Sequence, residues 1–510
     1  MLGLLAEDGI RPVSFEAGED AGFEGADAVV INTCGFLEAS KEESLQVIQQ
    51  ALREKEKGNV RRVVVAGCLV QRHRAKMLEW APGIDAMVGV FDRDKIVEAV
   101  RGEARARETL GEASDGPAYW IAGNALQAAK ARGRDTVGLT VNGKDGKGIG
   151  YFEDDSARLR LTPRHYAYLR ISEGCNQNCA FCTIPSIRGK MRSKPLERIV
   201  AEAKELLADG AFELNLIGQD TTSYGDDIGI GAAAGQGMPA MLRAVSEAVK
   251  GAGAGWVRLM YAYPSNFSDA MIDAFAKLAS EARVVPYIDI PLQHASDRVL
   301  TAMRRHVKAE QQRKLIQKLR DRVPGMAIRT TFISGFPGEG EEDHQQLLEF
   351  VEEAEFEALG VFEYSHEAGT VAGTMEEDPK LAVPAEVKAR RKGEIMALQQ
   401  RIAFEQAAYL AEQFDEDAPT TTGVQFDVLI DESARATGRA TSGVGKGGKL
   451  YKGRTYFQAP MIDAVTYVQS AEKLAAGELV RCTVVASDGY DLVARPVAEL
   501  EKRVGLKVLR

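Results

Sequence analysis

Cysteine and histidine are scarce in this sequence, which contains six of each among 510 residues. Six cysteines are few for a disulfide scaffold in a chain of this length. No apolar run reaches the roughly 18 residues that a membrane-spanning helix requires. The first residues, MLGLLAEDG, lack the charged and long apolar segments of a signal peptide. We therefore expect a cytoplasmic protein with reduced thiols and no membrane partner.

A basic excess is also missing, because the formal net charge is −10 and the sequence pI is about 5.4. A protein whose main task is to grip RNA phosphates usually has the opposite charge balance. A local basic patch can act against the net field, but the charge favours a neutral or basic partner. The length and an apolar content of 45% indicate two to four domains with hydrophobic cores.

Alternating strand and helix patterns divide the chain into domains. Apolar runs at 28–32 and 62–66, with a helical pattern at 38–57 between them, predict a parallel α/β layer over residues 1–101. Residues 102–157 have no clear period and are interpreted as a linker or an insertion.

Two further domains are predicted beyond that segment. At least five β/α units over residues 158–415 indicate a full or partial barrel. Its predicted strands are 166–171, 213–217, 257–261, 287–290, 328–333 and 359–362. Short β runs broken by Gly and Asp over residues 420–498 predict a small all-β barrel.

The strongest chemical signal is a cysteine cluster in EGCNQNCAFCTIPSIRG at 173–189. Its three cysteines, Cys175, Cys179 and Cys182, follow the pattern CxxxCxxC. Three thiolates on one tight loop can bind three irons of a 4Fe–4S cubane and leave the fourth iron open for S-adenosylmethionine. Phe181, directly before the third cysteine, would pack beside the adenine. The alternative is a structural zinc site, which usually takes four ligands, and no histidine lies within this loop.

Polar residues and glycines follow other predicted barrel strands and would lie at the same ligand-binding edge. They are Gly218, Gln219 and Asp220 after ELNLI, Gln293 and His294 after YIDI, and Gly335 and Gly338 after RTTFI. Each set also has a structural interpretation: a turn with a helix cap at Asp220, a buried structural histidine at His294, and a plain turn for the two later glycines.

Cys34 and Cys68 each fall just past a predicted strand of the first domain. The ends of neighbouring parallel strands meet at one edge of a sheet, where ligands of open α/β folds bind. Cysteines brought together in a reducing compartment are typical metal ligands. Cys482 lies inside a β run of the last domain and is interpreted as an ordinary buried cysteine.

The pattern CxxxCxxC with an aromatic residue before the last cysteine resembles the signature of the radical-SAM superfamily. NTCGF at 32–36, GCLVQR at 67–72 and ISEGCNQNCAFCTIPSIRGKMRSKP at 171–195 narrow the resemblance to the methylthiotransferases. IGQDTTSYG at 217–225 resembles the RimO type, which acts on an aspartate of ribosomal small-subunit protein twelve. The sister family that modifies tRNA usually has an asparagine where this sequence has Asp220.

This resemblance implies an N-terminal methylthiotransferase domain, a partial β/α barrel and a C-terminal TRAM barrel. It also implies two 4Fe–4S clusters and S-adenosylmethionine as cofactors. The cysteines at 175, 179 and 182 would hold the cluster that generates a 5′-deoxyadenosyl radical. Cys34 and Cys68 would hold the auxiliary cluster, which supplies the sulfur. The implied partners are the ribosomal protein or the ribosome and a reductant such as flavodoxin or ferredoxin.

The sequence departs from the family in one respect. The family's auxiliary cluster uses three cysteines, the first in a Gly-Cys word ahead of the position that Met1 matches. We expect that the start codon was assigned too late and that the extreme N-terminus with this cysteine is missing. The competing hypothesis is a defective auxiliary cluster.

Three functions are therefore considered. The preferred hypothesis is a methylthiotransferase that modifies an unactivated C–H of an aspartate in ribosomal protein twelve. A tRNA methylthiotransferase of the sister type is the alternative with the same chemistry. The alternative from another class is a non-catalytic, metal-stapled module that binds the ribosome or RNA.

Overall fold

A computed structural model describes residues 1–13, 26–102, 118–133, 149–153, 155, 158–231, 236–281, 283–435 and 448–508. Four parallel strands form its first sheet, in the order β1 (Ala26–Thr33), β2 (Val60–Gly67), β3 (Ala86–Val88) and β4 (Ala118–Trp120). The helices of this domain are α1 (Leu2–Glu7), α2 (Glu38–Glu56), α3 (Cys68–His73), α4 (Lys76–Trp80), α5 (Ile96–Arg101) and α6 (Ala125–Ala131).

Residues 63–66 of strand β2 are apolar without alternation because both faces of the sheet are covered there. Val63 and Val65 belong to one hydrophobic cluster, together with residues of α2. Val64 and Ala66 belong to a second cluster, together with residues of α5. A continuous apolar run is what a strand buried on both faces requires, so the predicted parallel α/β layer is confirmed.

Strand β4 lies in the segment interpreted as a linker or insertion. Ala118 pairs with Ala86 and Trp120 with Val88, so this three-residue strand extends the first sheet. A strand of three residues is too short to show a period of two, which explains why the sequence pattern did not reveal it.

The second domain contains a six-stranded parallel sheet in the order β12-β11-β10-β9-β8-β5. Its strands are β5 (Tyr166–Arg170), β8 (Glu213–Ile217), β9 (Trp256–Leu259), β10 (Val284–Asp289), β11 (Ala327–Ser334) and β12 (Ala358–Glu363), and the short β6 (Ser172–Glu173) pairs with β7 (Arg192–Ser193). The helices of this domain are α7 (Ile184–Arg188), α8 (Leu196–Ala208), α9 (Gly237–Gly251), α10 (Asp269–Glu281), α11 (Asp297–Ala302), α12 (Ala309–Arg322), α13 (Glu341–Ala354), α14 (Val371–Glu376) and α15 (Ala385–Glu412). The predicted partial β/α barrel is confirmed.

The third domain is a closed barrel of five strands in the order β13-β14-β15-β17-β16. The strands are β13 (Gln425–Ala434), β14 (Lys449–Arg454), β15 (Thr466–Ser470), β16 (Leu479–Asp488) and β17 (Asp491–Pro496), followed by α16 (Val497–Val508). This agrees with the predicted small all-β barrel. None of the described helices combines the length and apolar character needed to cross a lipid bilayer.

A buried charge network joins the small barrel to the parallel sheet. Glu213 is fully buried and accepts from Arg258 Nε at 2.7 Å and from Arg454 Nη1 of the small barrel at 2.6 Å. Arg454 also donates to Asp431 Oδ2 at 2.9 Å. A buried charge is tolerated only when it is paired. Glu213 of the second domain therefore depends on Arg454 of the small barrel for part of its charge compensation.

Candidate active site

The cysteine loop follows β5 and turns sharply at Gly174. This glycine has φ +83°, and a Cβ added to it would lie 2.4 Å from the carbonyl oxygen of Lys190. Only glycine fits both the left-handed backbone and this close approach. The Cys175 amide then donates to Gly189 O at 3.1 Å, so both ends of the loop are joined.

The second half of the loop is held by the segment that follows α11. Ala180 N donates to Met303 O at 2.9 Å, and Arg305 Nη1 donates to Cys179 Sγ at 3.4 Å. His306 Nε2 lies 3.0 Å from Asn178 Oδ1. Three successive loop residues are therefore fixed by this one segment.

The donor set fits an iron–sulfur cluster. Burial raises the pKa of Cys175 to about 12 and that of Cys182 to about 11, so the chain alone keeps these thiols protonated at neutral pH. Metal-bound thiols are deprotonated, and bound irons would supply the missing positive charge. Among the described residues, no three His, Cys, Asp or Glu side chains are grouped to hold a single metal ion. Three thiolates on one loop match a cubane, which takes one thiolate per iron, and are one ligand short of a tetrahedral zinc site.

All three cysteines line one cavity of about 620 Å³. Such a volume suits a nucleoside-sized ligand. Phe181, Gly218, Gln219 and Gln293 also line it, and so do Phe36 and Leu37 of the first domain. The sequence-predicted residues at the ends of different strands are thus brought together with the cysteine loop.

Gln219 and Asp220 differ in their role. Gln219 Oε1 accepts from Gly174 N at 2.6 Å and so supports the turn before Cys175. Asp220 is buried outside the cavity lining and accepts from Thr222 Oγ1 and Ser223 Oγ, both at 2.7 Å. It also accepts from Gln177 Nε2 of the cysteine loop at 2.8 Å. Asp220 therefore shapes a turn and ties this turn to the loop.

His294, Gly335 and Gly338 are not among the residues that line the cavity. His294 is fully buried, its Nδ1 accepts from Ser296 N at 3.0 Å, and its Nε2 lies 3.6 Å from Glu339 Oε2. Gly335 N donates to Glu339 Oε2 at 2.7 Å, and Gly338 N donates to Leu381 O at 2.7 Å. Gln293 does line the cavity, with φ +74° and a buried Oε1 that has no hydrogen-bond partner among the described residues.

Arg305 and Tyr263 are among the residues of the site that were missed from the sequence. Arg305 lines the cavity, contacts Cys179 and places its guanidinium 4.1 Å from the centre of the Tyr263 ring. Tyr263 Oη lies 3.8 Å from Cys179 Sγ. Tyr263 follows β9 at the ligand edge and could have been found by that position. Arg305 follows a helix, and no local pattern marks it.

Cys34 and Cys68 lie at the same edge of the first sheet. Thr33 pairs with Gly67, so the two cysteines follow directly from paired residues. Cys34 is exposed and Cys68 is buried. Burial raises the pKa of Cys68, while Arg188 opposes this shift because its Nη2 donates to Cys68 Sγ at 3.3 Å. Arg188 also pairs with Glu173 at 2.5 Å, which connects Cys68 to the loop that carries the other three cysteines.

The loop after Cys34 is held by the second domain. Glu367 lines the cavity and is 3% exposed, and its carboxylate pairs with Arg72 Nη1 at 2.7 Å. It also accepts from Glu38 N, the first amide of α2, at 3.1 Å. A carboxylate at a helix N-terminus accepts a hydrogen bond from a backbone amide that has no partner within the helix, and it interacts favourably with the helix dipole. Phe36 and Leu37 are therefore fixed against the cavity.

Three parts of the chain match known families. Residues 1–89 match Uncharacterized protein family UPF0004, residues 169–351 match the Radical SAM superfamily, and residues 422–497 match the TRAM domain.

Curated relatives cover nearly the whole chain. It is 38% identical over 502 residues to the ribosomal protein uS12 methylthiotransferase RimO of Anaeromyxobacter sp. (strain K), spanning 98% of this chain and 90% of that protein. It is 34% identical over 498 residues to the protein of the same name from Geobacter sulfurreducens, with coverage of 98% and 95%. Among solved structures, the radical S-adenosylmethionine methyltransferase TsrM of Kitasatospora setae aligns with a TM-score of 0.45 and 16% identity, covering 68% of this chain and 66% of that one.

Proposed function

Because this chain belongs to the RimO family of radical-SAM methylthiotransferases, we propose that it transfers a methylthio group to an aspartate of ribosomal protein uS12. The site of modification is an unactivated C–H of that side chain. The enzyme works in the cytoplasm, where its substrate protein is available alone or within the ribosome. Its electron comes from a reductant protein of the flavodoxin or ferredoxin class.

One observation carries the proposal. The cavity that contains Cys175, Cys179 and Cys182 also contains Phe36 and Leu37, which follow Cys34. The residues that directly follow Cys34 therefore share a cavity with the cysteines of the second domain, which supports one reaction volume for both cysteine sets. A sulfur transfer driven by a radical needs this proximity, because the sulfur must reach the same carbon that loses its hydrogen.

We assign the residues as follows. Cys175, Cys179 and Cys182 bind the radical cluster, while Cys34 and Cys68 supply ligands to a second 4Fe–4S cluster. When bound, these clusters and S-adenosylmethionine supply the 5′-deoxyadenosyl radical and the methylated sulfur.

The chain's own residues bind, orient and shield these groups. Arg305 and Tyr263 orient Cys179, and Gln219 fixes the turn before Cys175. Phe181 offers a ring for the adenine, and the free Oε1 of Gln293 offers a hydrogen-bond acceptor. The largely apolar lining limits the access of water to the reacting atoms.

The direct test is a reaction with purified substrate. The protein is reconstituted anaerobically with iron and sulfide, then incubated with S-adenosylmethionine, a reductant and uS12, and the peptides are analysed by mass spectrometry. We expect replacement of one hydrogen by a methylthio group on an aspartate. Cys175→Ala should abolish both this product and 5′-deoxyadenosine. Cys34→Ala should lose the methylthio product and retain 5′-deoxyadenosine.

The result in cells distinguishes the alternatives. In a strain that lacks the gene, uS12 should lose its methylthio group and tRNA should keep its own. Loss from tRNA alone would contradict the proposed substrate. Absence of 5′-deoxyadenosine from the reconstituted wild-type protein would contradict radical chemistry altogether.

A further inference from the structure

We propose that the exposed side chains of Asn178, Arg304, His306 and Lys308 form the docking surface for an acidic one-electron donor protein. We call it the donor surface. The inference rests on the proposed function, which requires a reductant. Its basis is a direct connection in the structure between exposed basic side chains and the cysteine loop.

The side chains of this segment alternate between solvent and the cysteine loop. Arg304 and His306 are exposed, whereas Arg305 between them is buried and donates to Cys179 Sγ at 3.4 Å. Arg304 and His306 have φ values of +58° and +50°, so the backbone turns sharply at both positions. Such a conformation is costly for residues other than glycine, and here it presents two basic side chains next to a buried third one.

The surface also touches the loop itself. His306 Nε2 lies 3.0 Å from Oδ1 of Asn178, which is exposed and directly precedes Cys179. A protein that docks here therefore contacts the residue next to a cluster ligand. A docked donor would thus be close to the cluster.

The donor surface is positively charged, whereas the protein as a whole is negatively charged. The chain carries a net charge of −10, which repels acidic proteins at long range. Within the described residues, neither Arg304 nor Lys308 has a carboxylate at ion-pair distance. Lys314 and Lys318 lie in an adjoining groove of about 340 Å³ that begins at His306, although these two pair with Glu310 and Asp269. Two uncompensated cations favour an acidic partner and raise its association rate.

The donor surface leaves the substrate cavity free. Of the described residues that line the cavity, none is Asn178, Arg304, His306 or Lys308. A donor can thus bind while a ribosomal protein occupies the cavity. This separation favours a reductant over the substrate as the partner of this surface.

The electron balance of the step is simple. The docked donor would be oxidised by one electron, and with a cluster bound by Cys175, Cys179 and Cys182 this electron would be available to reduce the sulfonium of S-adenosylmethionine. The C5′–S bond breaks and yields methionine and the 5′-deoxyadenosyl radical. That radical then takes a hydrogen atom and is released as 5′-deoxyadenosine.

The test compares two charge-reversed variants with equal changes in net charge. R304E/K308E alters the donor surface. R61E/K57E alters one exposed Arg and one exposed Lys near the start of β2, the end of that strand opposite Cys68. Each variant is supplied either with reduced flavodoxin or with dithionite, and 5′-deoxyadenosine is measured. Binding of oxidised flavodoxin to the chain, with and without clusters, is measured by calorimetry at low and high ionic strength, and binding of ribosomal particles is measured by co-sedimentation.

We expect R304E/K308E to lose about tenfold or more of its flavodoxin-driven rate at low ionic strength. It should bind flavodoxin correspondingly more weakly and retain its dithionite-driven rate. R61E/K57E should match wild type in all four measurements.

Three outcomes would overturn the donor surface. The first is an equal flavodoxin-driven rate in both variants. The second is an equal loss with dithionite, which would mean that the substitutions damage the cluster loop. The third is unchanged flavodoxin binding with weakened binding to ribosomal particles, which would make this an RNA-binding patch. If wild type produces no 5′-deoxyadenosine even with dithionite, the proposed function itself fails, and the donor surface fails with it.

Discussion

The carboxylate of Glu367 connects the second domain to the loop after Cys34, and its removal should loosen this loop. We predict that Glu367→Ala increases local opening at residues 34–38 without unfolding either domain. The side chain caps the first amide of α2 at 3.1 Å and pairs with Arg72 at 2.7 Å. Both interactions disappear in the variant.

The size of the effect follows from these two contacts. Loss of a helix cap costs about 1 kcal/mol, and removal of one partner of a buried ion pair costs about 3–5 kcal/mol. Arg72 keeps hydrogen bonds to Gly35 O at 3.0 Å and Ala368 O at 3.4 Å, so the lower end applies. A total of ~4 kcal/mol corresponds to roughly 700-fold faster hydrogen exchange at the amide of Glu38, because each 1.4 kcal/mol is about a factor of ten.

Hydrogen–deuterium exchange with mass spectrometry measures this directly. Glu363→Ala is the matched control, because Glu363 also lines the cavity but pairs with Lys392 at 3.3 Å while about 40% exposed. An exposed pair contributes less than about 1 kcal/mol, so the exchange of residues 34–38 should stay near wild type. The reasoning is refuted if Glu367→Ala exchanges at the wild-type rate, or if both variants change equally. In the reconstituted enzyme, Glu367→Ala should form 5′-deoxyadenosine while the methylthio product per nucleoside falls.

Three further predictions follow from cysteine chemistry, buried charge and pH. Cys482→Ala removes a buried thiol of the small barrel and should preserve the formation of 5′-deoxyadenosine. Cys175→Ala should abolish it, and chromatography of the nucleoside distinguishes the two variants. Glu213→Gln leaves two buried arginines facing a neutral amide and should reduce the free energy of unfolding in urea by about 3 kcal/mol. Glu432→Gln, whose side chain is 66% exposed, should change it by less than about 0.5 kcal/mol, and equal effects would contradict this explanation. Burial raises the pKa of Asp289 to about 6, while Arg329 opposes the shift. A raised pKa means that the protonated carboxyl stabilises the folded protein, and this stabilisation is lost as the pH rises through about 6. The side chain of Asp289→Asn does not titrate, so the thermal stability of this variant relative to wild type should increase between about pH 4 and pH 7. If the difference in melting temperature between Asp289→Asn and wild type stays constant across these pH values, the explanation is wrong.

The hydrophobic pattern was sufficient to predict a strand or helix where that element is regular and long enough. The pattern ELNLI predicts a strand at 213–217, and β8 has the same bounds. Strand β10 begins at Val284, earlier than the predicted 287, because Pro286 interrupts the pattern although the strand continues through it. Proline lacks a ladder donor and is confined to strand ends, edges and bulges, and Pro286 lies in the register shift between Val284 and Ile288 where β10 pairs with β9.

The candidate site could be predicted where its residues belong to the cysteine motif or follow strand ends. Gln219 and Gln293 occupy such positions and line the cavity. Arg305 reaches Cys179 from a turn far along the sequence, and Glu367 reaches α2 from another domain. Contacts of this kind depend on how domains pack together, and periodicity within one segment carries no information about them.

Glu213 has a consequence for any experiment that shortens this protein. Its charge balance is shared between an arginine of its own domain and one supplied by the small barrel. A chain truncated before β13 would leave an anionic centre half neutralised and open to water at the exposed end of the parallel sheet. Loss of activity in such a shortened chain would therefore report on the integrity of the catalytic domain, and would not reveal what the small barrel recognises. Point substitutions on the outer surface of an intact protein are the appropriate way to ask that question.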